Sequence, residues 1–334
     1  MKILFFADVH LGNYRYPIRH HITESMTQII DIAEDENPDL ILFAGDAFRT
    51  KTPATVDISD FGLFISRLRN VAHVVMIPGN HDVLGSGVST IDVYDNYKNV
   101  RVVKSPEVIT RDELQVVAIP WLPSKALSSF GLDGEDTAGA QRALLGLLRA
   151  KLDHRSSFLL AHATAFGTEY RDGVSSVLGN DVLWTNDLFD GFDLAVLGHI
   201  HKPQQITDNA YYVGSPCPVS FSETGMKEVL IWENGHVHHI ALNTPEFVTI
   251  KASELRDYPG CFLKITKPAG DPDPEIPDCI WYEIISIPEE REVRIRLEDS
   301  EMTTIEAIRR WLELADEDPE TIVDVLTLAK EMME

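Results

Sequence analysis

Carboxylate, amide and imidazole side chains gather at five points along this chain, and each point lies where an apolar run stops. They are Asp8-Val9-His10, Gly45-Asp46, Gly79-Asn80-His81-Asp82, His162 and Gly198-His199-Ile200-His201. Four follow the strand-like runs Lys2–Phe6, Leu40–Phe43, Val74–Ile77 and Leu194–Leu197, and His162 follows Phe158-Leu159-Leu160. Side chains at the carboxyl ends of buried strands converge in one crevice of an open α/β sheet. Oxygen and imidazole donors with no thiolate among them suit hard or borderline divalent ions such as Mn²⁺, Mg²⁺, Fe²⁺ or Zn²⁺. The pattern points to a binuclear metal enzyme.

The segments between these points supply the rest of a layered fold. Ile18 to Asp35 carries Ile22, Met26, Ile29, Ile30 and Ala33 at helical spacing, and Val56–Leu68 and Ala138–Leu152 repeat the pattern. Strands are expected at 40–44, 73–77, 100–104, 114–119, 157–161 and 193–197. From Tyr211 the pattern reads as a β-meander, with Asn234-Gly235 as the hairpin turn between Glu228–Trp232 and His236–Leu242. The expected result is an α/β domain whose sheets pack face to face with helices outside. A second region reads as short strands (Phe247–Lys251, Cys261–Ile265, Trp281–Ile287, Val293–Leu297) interrupted by Asp271-Pro272-Asp273-Pro274-Glu275. In the tail, Thr303 with Glu306 forms a capping box and Asp318-Pro319 starts a second helix. The expected division is 1–242, 243–300 and 301–334.

Composition narrows the functional classes. Apolar content of 44% and charged content of 25% over 334 residues fit a globular protein with a sizeable core. Cys217, Cys261 and Cys279 lack Cys-x-x-Cys spacing, which indicates neither a thiolate zinc site nor a disulfide framework. Met1 leads straight into a strand-like run and no stretch is long and apolar enough to span a membrane, so a cytoplasmic location is expected. The formal net charge of −24 opposes generic nucleic-acid binding. Residues 243–334 carry 23 acidic and 10 basic side chains, so this last quarter holds −13 of it. A nucleic acid would therefore be gripped at the metal site and local arginines, or by a partner.

Taken together, the five motifs resemble those of calcineurin-type metallophosphoesterases over residues 1 to about 242. Within that superfamily they resemble the SbcD-type DNA repair nucleases. The narrower likeness rests on Ala7-Asp8-Val9-His10-Leu11-Gly12, Gly45-Asp46-Ala47-Phe48 and Gly214-Ser215-Pro216-Cys217-Pro218-Val219-Ser220-Phe221. The resemblance implies a four-layer metallophosphoesterase β-sandwich flanked by helices, a small α+β cap region and a C-terminal helical tail. It implies two divalent ions, Mn²⁺ first and Mg²⁺ as the alternative. Asp8, His10 and His201 would hold one; Asn80, His162 and His199 the other; Asp46 would bridge them. His81 would stand over the scissile phosphate as an acid or charge stabiliser for the leaving oxygen. Asp82 would either orient a histidine ring or cap the turn.

The implied activity is that of a DNA exonuclease with single-strand endonuclease ability, acting in repair or recombination. The implied partners are DNA, an SbcC-like coiled-coil ATPase docked through residues 303–333, and a second copy of the chain paired through the helix at 18–33. One position departs from the family. Where a histidine usually follows Gly-Asp-x-Phe, this chain has Arg49. An arginine binds phosphate through its planar fork but is neither acid nor base near pH 7. Two other functions suit the same residues: a phosphoesterase acting on nucleotides or phosphoproteins, and a DNA-tethering protein that keeps its site for folding. Arg15 and Arg19, with Tyr14 and Tyr16, read either as contacts to a nucleic-acid backbone and its bases or as an ordinary solvated loop. Trp121 reads as core. His20, His21, His73, His154, His236, His238 and His239 read as surface or strand histidines.

Overall fold

The computed structural model describes residues 1–84, 87–123, 137–171, 174–175, 183–287 and 325. The first sheet contains β1 (Lys2–Phe6), β2 (Leu40–Phe43), β3 (His73–Met76) and β4 (Val100–Val102), and later β15 (Lys227–Glu233) and β16 (His236–Leu242). The second contains β5 (Glu107–Arg111), β6 (Leu114–Ile119), β7 (Ser156–His162), β12 (Leu194–Gly198), β13 (Gln204–Thr207) and β14 (Ala210–Tyr212). Two short ladders pair β8 (Thr164–Ala165) with β11 (Leu183–Trp184), and β9 (Glu169–Arg171) with β10 (Val174–Ser175). A small third sheet has the order β17 (Glu246–Lys251), β18 (Cys261–Pro268), β19 (Trp281–Ile287).

The two large sheets run in the orders β16-β15-β1-β2-β3-β4 and β13-β14-β12-β7-β6-β5. Their central strands are parallel, as the crossover helices between them require. Strand residues alternate between two apolar layers. Ile3, Phe5, Leu40, Leu42 and Val75 face Val116, Phe158, Leu160, Leu194 and Val196 of the opposite sheet. Leu4, Phe6, Ile41, Phe43, Val74 and Met76 instead pack under α1 (Arg19–Glu36) and α2 (Thr55–Val71), through residues such as Met26, Ile29, Phe61 and Ile65. On the far side, Val117, Leu159 and Leu197 pack under α3 (Thr137–Arg149) through Leu144, Leu145 and Leu148. This is the expected four-layer α/β sandwich, and strands buried on both faces explain the near-continuous apolar runs.

Two expectations change. Glu107–Arg111 and Gln204–Thr207 form strands although neither carries an apolar run, because both sit at an edge of the second sheet with one side partly in water. The stretch from Tyr211 is no meander. β14 pairs with β12 and β13 in the second sheet, whereas β15 pairs antiparallel with β1 in the first. The Gly214–Phe221 motif is thus part of the segment that crosses from one sheet to the other. The β15–β16 hairpin forms as expected, with Asn234 and Gly235 at φ of 51° and 88°.

Residues Met1–Thr266 with Pro274–Ile285 form one compact unit, and Lys267–Asp273 with Ser286–Glu334 a second. The expected strand at Val293–Leu297 and both tail helices lie outside the described residues, Val325 apart. In the first unit, Phe158 is fully buried and its ring meets Trp232 of the facing sheet edge-on at 4.9 Å. Phe158→Ala is expected to cost about 3–5 kcal/mol of stability, because it opens a cavity between two rigid sheets. Chemical denaturation checks this, and a loss below about 1 kcal/mol would show that the intersheet layer repacks freely.

Candidate metal centre

All five motif loops emerge at the carboxyl ends of β1, β2, β3, β7 and β12, and their side chains meet. Asp46 is at the middle. Its Oδ1 accepts the His81 backbone N–H at 2.8 Å, while its Oδ2 lies 3.4 Å from His10 Nε2 and 3.6 Å from His162 Nε2. Ligand atoms of Asp8, His10 and His201 lie within 4.8 Å of one another, as do those of His10, Asp46 and His81 and those of Asp8, Asp46 and His162. On the other side of Asp46, the Asn80 Oδ1 faces His162 Nε2 at 2.9 Å and His199 Nδ1 at 3.0 Å. Every residue expected to hold an ion is therefore in this cluster.

The backbone is bent to make it so. Asp8, His10, Asp46 and His199 all have positive φ, at 52°, 47°, 59° and 102°. Such conformations in non-glycine residues cost on the order of 1–3 kcal/mol each and collect at functional sites. Hydrogen bonds between the loops hold them: Asp8 N–H to Gly45 O at 2.8 Å, His10 N–H to Asp46 O at 3.1 Å, and His199 N–H to both Asp8 carboxylate oxygens at 3.0 Å. Gly79 allows the closest approach, since a Cβ there would lie 2.1 Å from Asp46 Oδ1 and 2.6 Å from His162 Cε1.

Of the two tasks expected for Asp82, the structure shows the capping one, extended to a second loop. Its fully buried carboxylate accepts backbone N–H bonds from Asp46 at 2.8 Å, Gly79 at 2.9 Å and Ala47 at 3.0 Å. No imidazole partner is found for it among the described residues. It ties the loop after β2 to the loop after β3, and so places Asp46 and Asn80. The ring of His81 is oriented instead by Arg49, whose carbonyl accepts from His81 Nδ1 at 2.8 Å. His162 is fixed in the same way, its Nδ1 donating to Ala44 O at 2.7 Å, which leaves Nε2 as the acceptor.

Electrostatics give the fit. Burial pushes the Asp46 carboxyl well above the usual carboxylate range, with Asp82 and Asp8 adding to it. Burial likewise raises Asp8 to about 6 and Asp82 to about 7. Burial drives His10 and His162 far down, helped by the surrounding imidazoles. Buried acids pushed up beside buried imidazoles pushed down are what a site shaped around added positive charge shows without it. The His10 and His201 Nε2 atoms, 2.8 Å apart, need a shared proton or a shared cation between them. Carboxylates and neutral imidazoles are also the forms that bind metal. The donor set fits divalent cations.

The calcineurin-like phosphoesterase model matches residues 1–203. The chain belongs to that family. Among similar proteins, the SbcD component of the nuclease SbcCD from Escherichia coli K12 is 26% identical over 277 residues, 73% of this chain and 68% of that one. "DNA double-strand break repair protein Mre11" of Saccharolobus solfataricus is 26% identical over 245 residues, 68% of this chain and 56% of that one. A solved structure of a Thermus thermophilus protein aligns with a TM-score of 0.44 at 14% identity, covering 72% of this chain and 98% of that one. This phosphoesterase is thus metal-dependent by family and by its clustered Asp and His donors. Among the described residues, no helix is long and apolar enough to cross a membrane.

Several residues around the phosphoesterase centre differ from expectation. Tyr14 and Tyr16 are not a free stacking platform. The Tyr14 hydroxyl donates to His10 O at 3.0 Å, and Tyr16 is buried among Phe247, Phe262 and Trp281. Arg19 joins Asp57 and Asp60, bracing α1 to α2. The Arg49 guanidinium lies 4.2 Å over the Tyr14 ring and donates to Asn13 O. Arg15, largely exposed, pairs with Glu283 at 2.8 Å. Trp121 is not core: its ring stacks on His199 with centroids 5.3 Å apart and meets His162 edge-on. Lys51 is not marked out by any sequence motif, yet its charge reaches both Asp46 and His81. Gly79→Ala is expected to cost about 1–3 kcal/mol of stability, since the added Cβ meets the Asp46 backbone N at 2.5 Å, and to weaken Mn²⁺ binding of the folded protein by about 10–100-fold, the range for losing a group that orients a ligand. Calorimetric titration beside circular dichroism measures both, and an unchanged isotherm would refute the account of the Gly79 contact.

Proposed function

We propose that the chain is a nuclease that hydrolyses DNA phosphodiester bonds with two divalent ions, Mn²⁺ first and Mg²⁺ as the alternative. The observation that carries this reading is Asp46 Oδ2 lying between His10 and His162, with Asp8 and His201 on one side and Asn80 and His199 on the other. Asp8, His10 and His201 would hold one ion, Asn80, His162 and His199 the second, and Asp46 both. Bound there, the pair supplies an activated water and positive charge for the phosphate. Two carboxylates among seven donors leave that centre cationic, which suits a phosphodiester.

The chain's own residues do the rest. His81 is held through Nδ1 by the Arg49 carbonyl, so its Nε2 is the atom left to act on the leaving oxygen, and it would give a proton there only from the doubly protonated ring, a form that burial disfavours. Arg49 and Lys51 lie at the end of the same loop and offer positive charge to the neighbouring phosphate, with Arg15 as a more distant contact. Trp121, flat against His199, offers a face for a base.

Similarity to a nuclease subunit and to a DNA double-strand break repair protein over about 70% of the chain supports DNA over small nucleotides or phosphoproteins. The finer activity we propose is exonuclease with single-strand endonuclease action in DNA end processing. The bacterial relative is named as one subunit of SbcCD, and we extend this to an ATPase partner for this chain, bound through 301–334. Pairing through α1 and a small capping role for 243–300 complete the proposal.

His81→Ala is expected to lower hydrolysis of single-stranded DNA by about 10²–10⁴-fold while two metal ions remain bound. Unchanged turnover would remove His81 from the chemistry. In Mn²⁺, wild type should cleave single-stranded DNA faster than a cyclic nucleotide or an aryl phosphate monoester. The reverse order would favour a small-molecule phosphoesterase. A chain ending near Ser300 should stay folded and no longer co-purify with the ATPase, and retained co-purification refutes docking through the tail.

A further inference from the structure

His201 is held differently from His162 and His81. His162 and His81 turn Nδ1 toward backbone carbonyls, whereas His201 Nδ1 meets the Oε1 of Glu223 at 3.1 Å. Glu223 is itself enclosed. Its Oε2 accepts from Lys227 Nζ at 3.0 Å and from Ser215 Oγ at 3.1 Å, and its Oε1 accepts from Ser220 Oγ at 3.3 Å. The Lys227 side chain is 1% exposed and spends all three ammonium protons, on Glu223, on Ser215 Oγ at 2.8 Å and on His201 O at 2.9 Å. The Ser215 N–H donates to the same His201 carbonyl at 3.1 Å. Lys227 opens β15, which is hydrogen-bonded to β1, the strand that delivers Asp8 and His10. The crossover between the sheets thus grips His201 at its ring and at its backbone.

A buried Lys–Glu pair is a poor way to add stability, since apolar residues of equal volume do as well or better. Its use is better sought in what it touches. A carboxylate behind a metal-bound imidazole fixes the ring and its tautomer and makes the facing nitrogen a stronger donor. We propose that Glu223, held by Lys227 and Ser215, is a positioning residue that presents His201 Nε2 to a divalent cation and so governs filling of the Asp8–His10–His201 side of the centre. This rests on the two-ion reading above. The other side, where His162 relies on a carbonyl, would fill independently of Glu223.

The test is Mn²⁺ titration by calorimetry, with electron paramagnetic resonance to separate an exchange-coupled pair from a lone ion. Wild type is titrated first and should bind two ions with a coupled spectrum; fewer than two would remove the two-ion reading and this inference with it. Glu223→Gln/Lys227→Met removes the pair without stranding a buried charge. It should keep one site at wild-type affinity, weaken the other about 10–100-fold and give a single-ion spectrum at stoichiometric metal. Glu223→Asp keeps the charge facing Lys227 but draws it back from the imidazole, and should show the same selective loss; it decides the matter should the double variant not fold. Two sites of unchanged affinity in a folded variant overturn the inference. So does equal weakening of both sites, which marks the pair as a brace for the crossover.

Discussion

Everything in this molecule answers to the burial of ionisable groups where the strand ends of two facing sheets meet. Asp8, Asp46 and Asp82 are each at most 1% exposed, in a place where a lone carboxylate is costly. Four ligand-bearing residues there also have positive φ, at on the order of 1–3 kcal/mol apiece. That sum rivals the whole net stability of an ordinary domain, about 5–15 kcal/mol. Such a centre persists because three apolar layers fix the strands beneath it and leave the loops no alternative path. The sandwich is the support, and the strained loops are what it supports.

Within the centre, labour is divided between groups whose donor atoms converge on one another and groups that face the backbone. Asp82 is the clearest of the second kind. By accepting three N–H bonds from two loops it does for the chain what a helix cap does for one terminus, but across β2 and β3 together. Ala44 and Arg49 contribute carbonyls that set the tautomers of His162 and His81. Arg49, directly after Gly45-Asp46-Ala47-Phe48, orients His81 through its carbonyl, an atom every residue possesses. Side-chain identity at Arg49 therefore bears on substrate grip more than on the geometry of His81.

What could be read from the sequence follows the physics of each signal. Strands buried on both faces announce themselves as apolar runs, and α1, α2 and α3 as apolar stripes, so the layers were legible, and with them the strand ends where the seven expected donors meet. The edge strands Glu107–Arg111 and Gln204–Thr207 were not, because a strand with a wet side needs no such run. The sheet-to-sheet crossing was hidden for a different reason. Nothing in Tyr211–Val213 or Glu228–Trp232 says which strand each will pair with, since both satisfy period-two burial in either sheet. Trp121, Glu223 and Lys227 were missed because their meaning lies in contacts across the fold: to a histidine 78 residues on for Trp121, and to His201 from the far side of a turn for the other two. Glu223 and Lys227 are four apart just beyond the Gly214–Phe221 motif, a local pattern that would have suited a surface helix pair equally well.

A net charge of −24 and a polyanionic substrate of the kind proposed above are reconciled by distance. Charges in solvent act over a Debye length, about 8 Å at physiological ionic strength. A surface acid farther than this from the centre has little hold on a phosphate there, whereas buried groups beside it are barely screened. The relevant charge is therefore that of the centre and its rim, where Lys51 and Arg49 stand beside His81 and the donors include two carboxylates. Acidic side chains elsewhere govern how the chain avoids indiscriminate contact with polyanions. With two divalent ions held as proposed, an acidic exterior around a locally cationic centre would confine a polyanion to the strand-end crevice, a form of specificity a uniformly basic surface lacks.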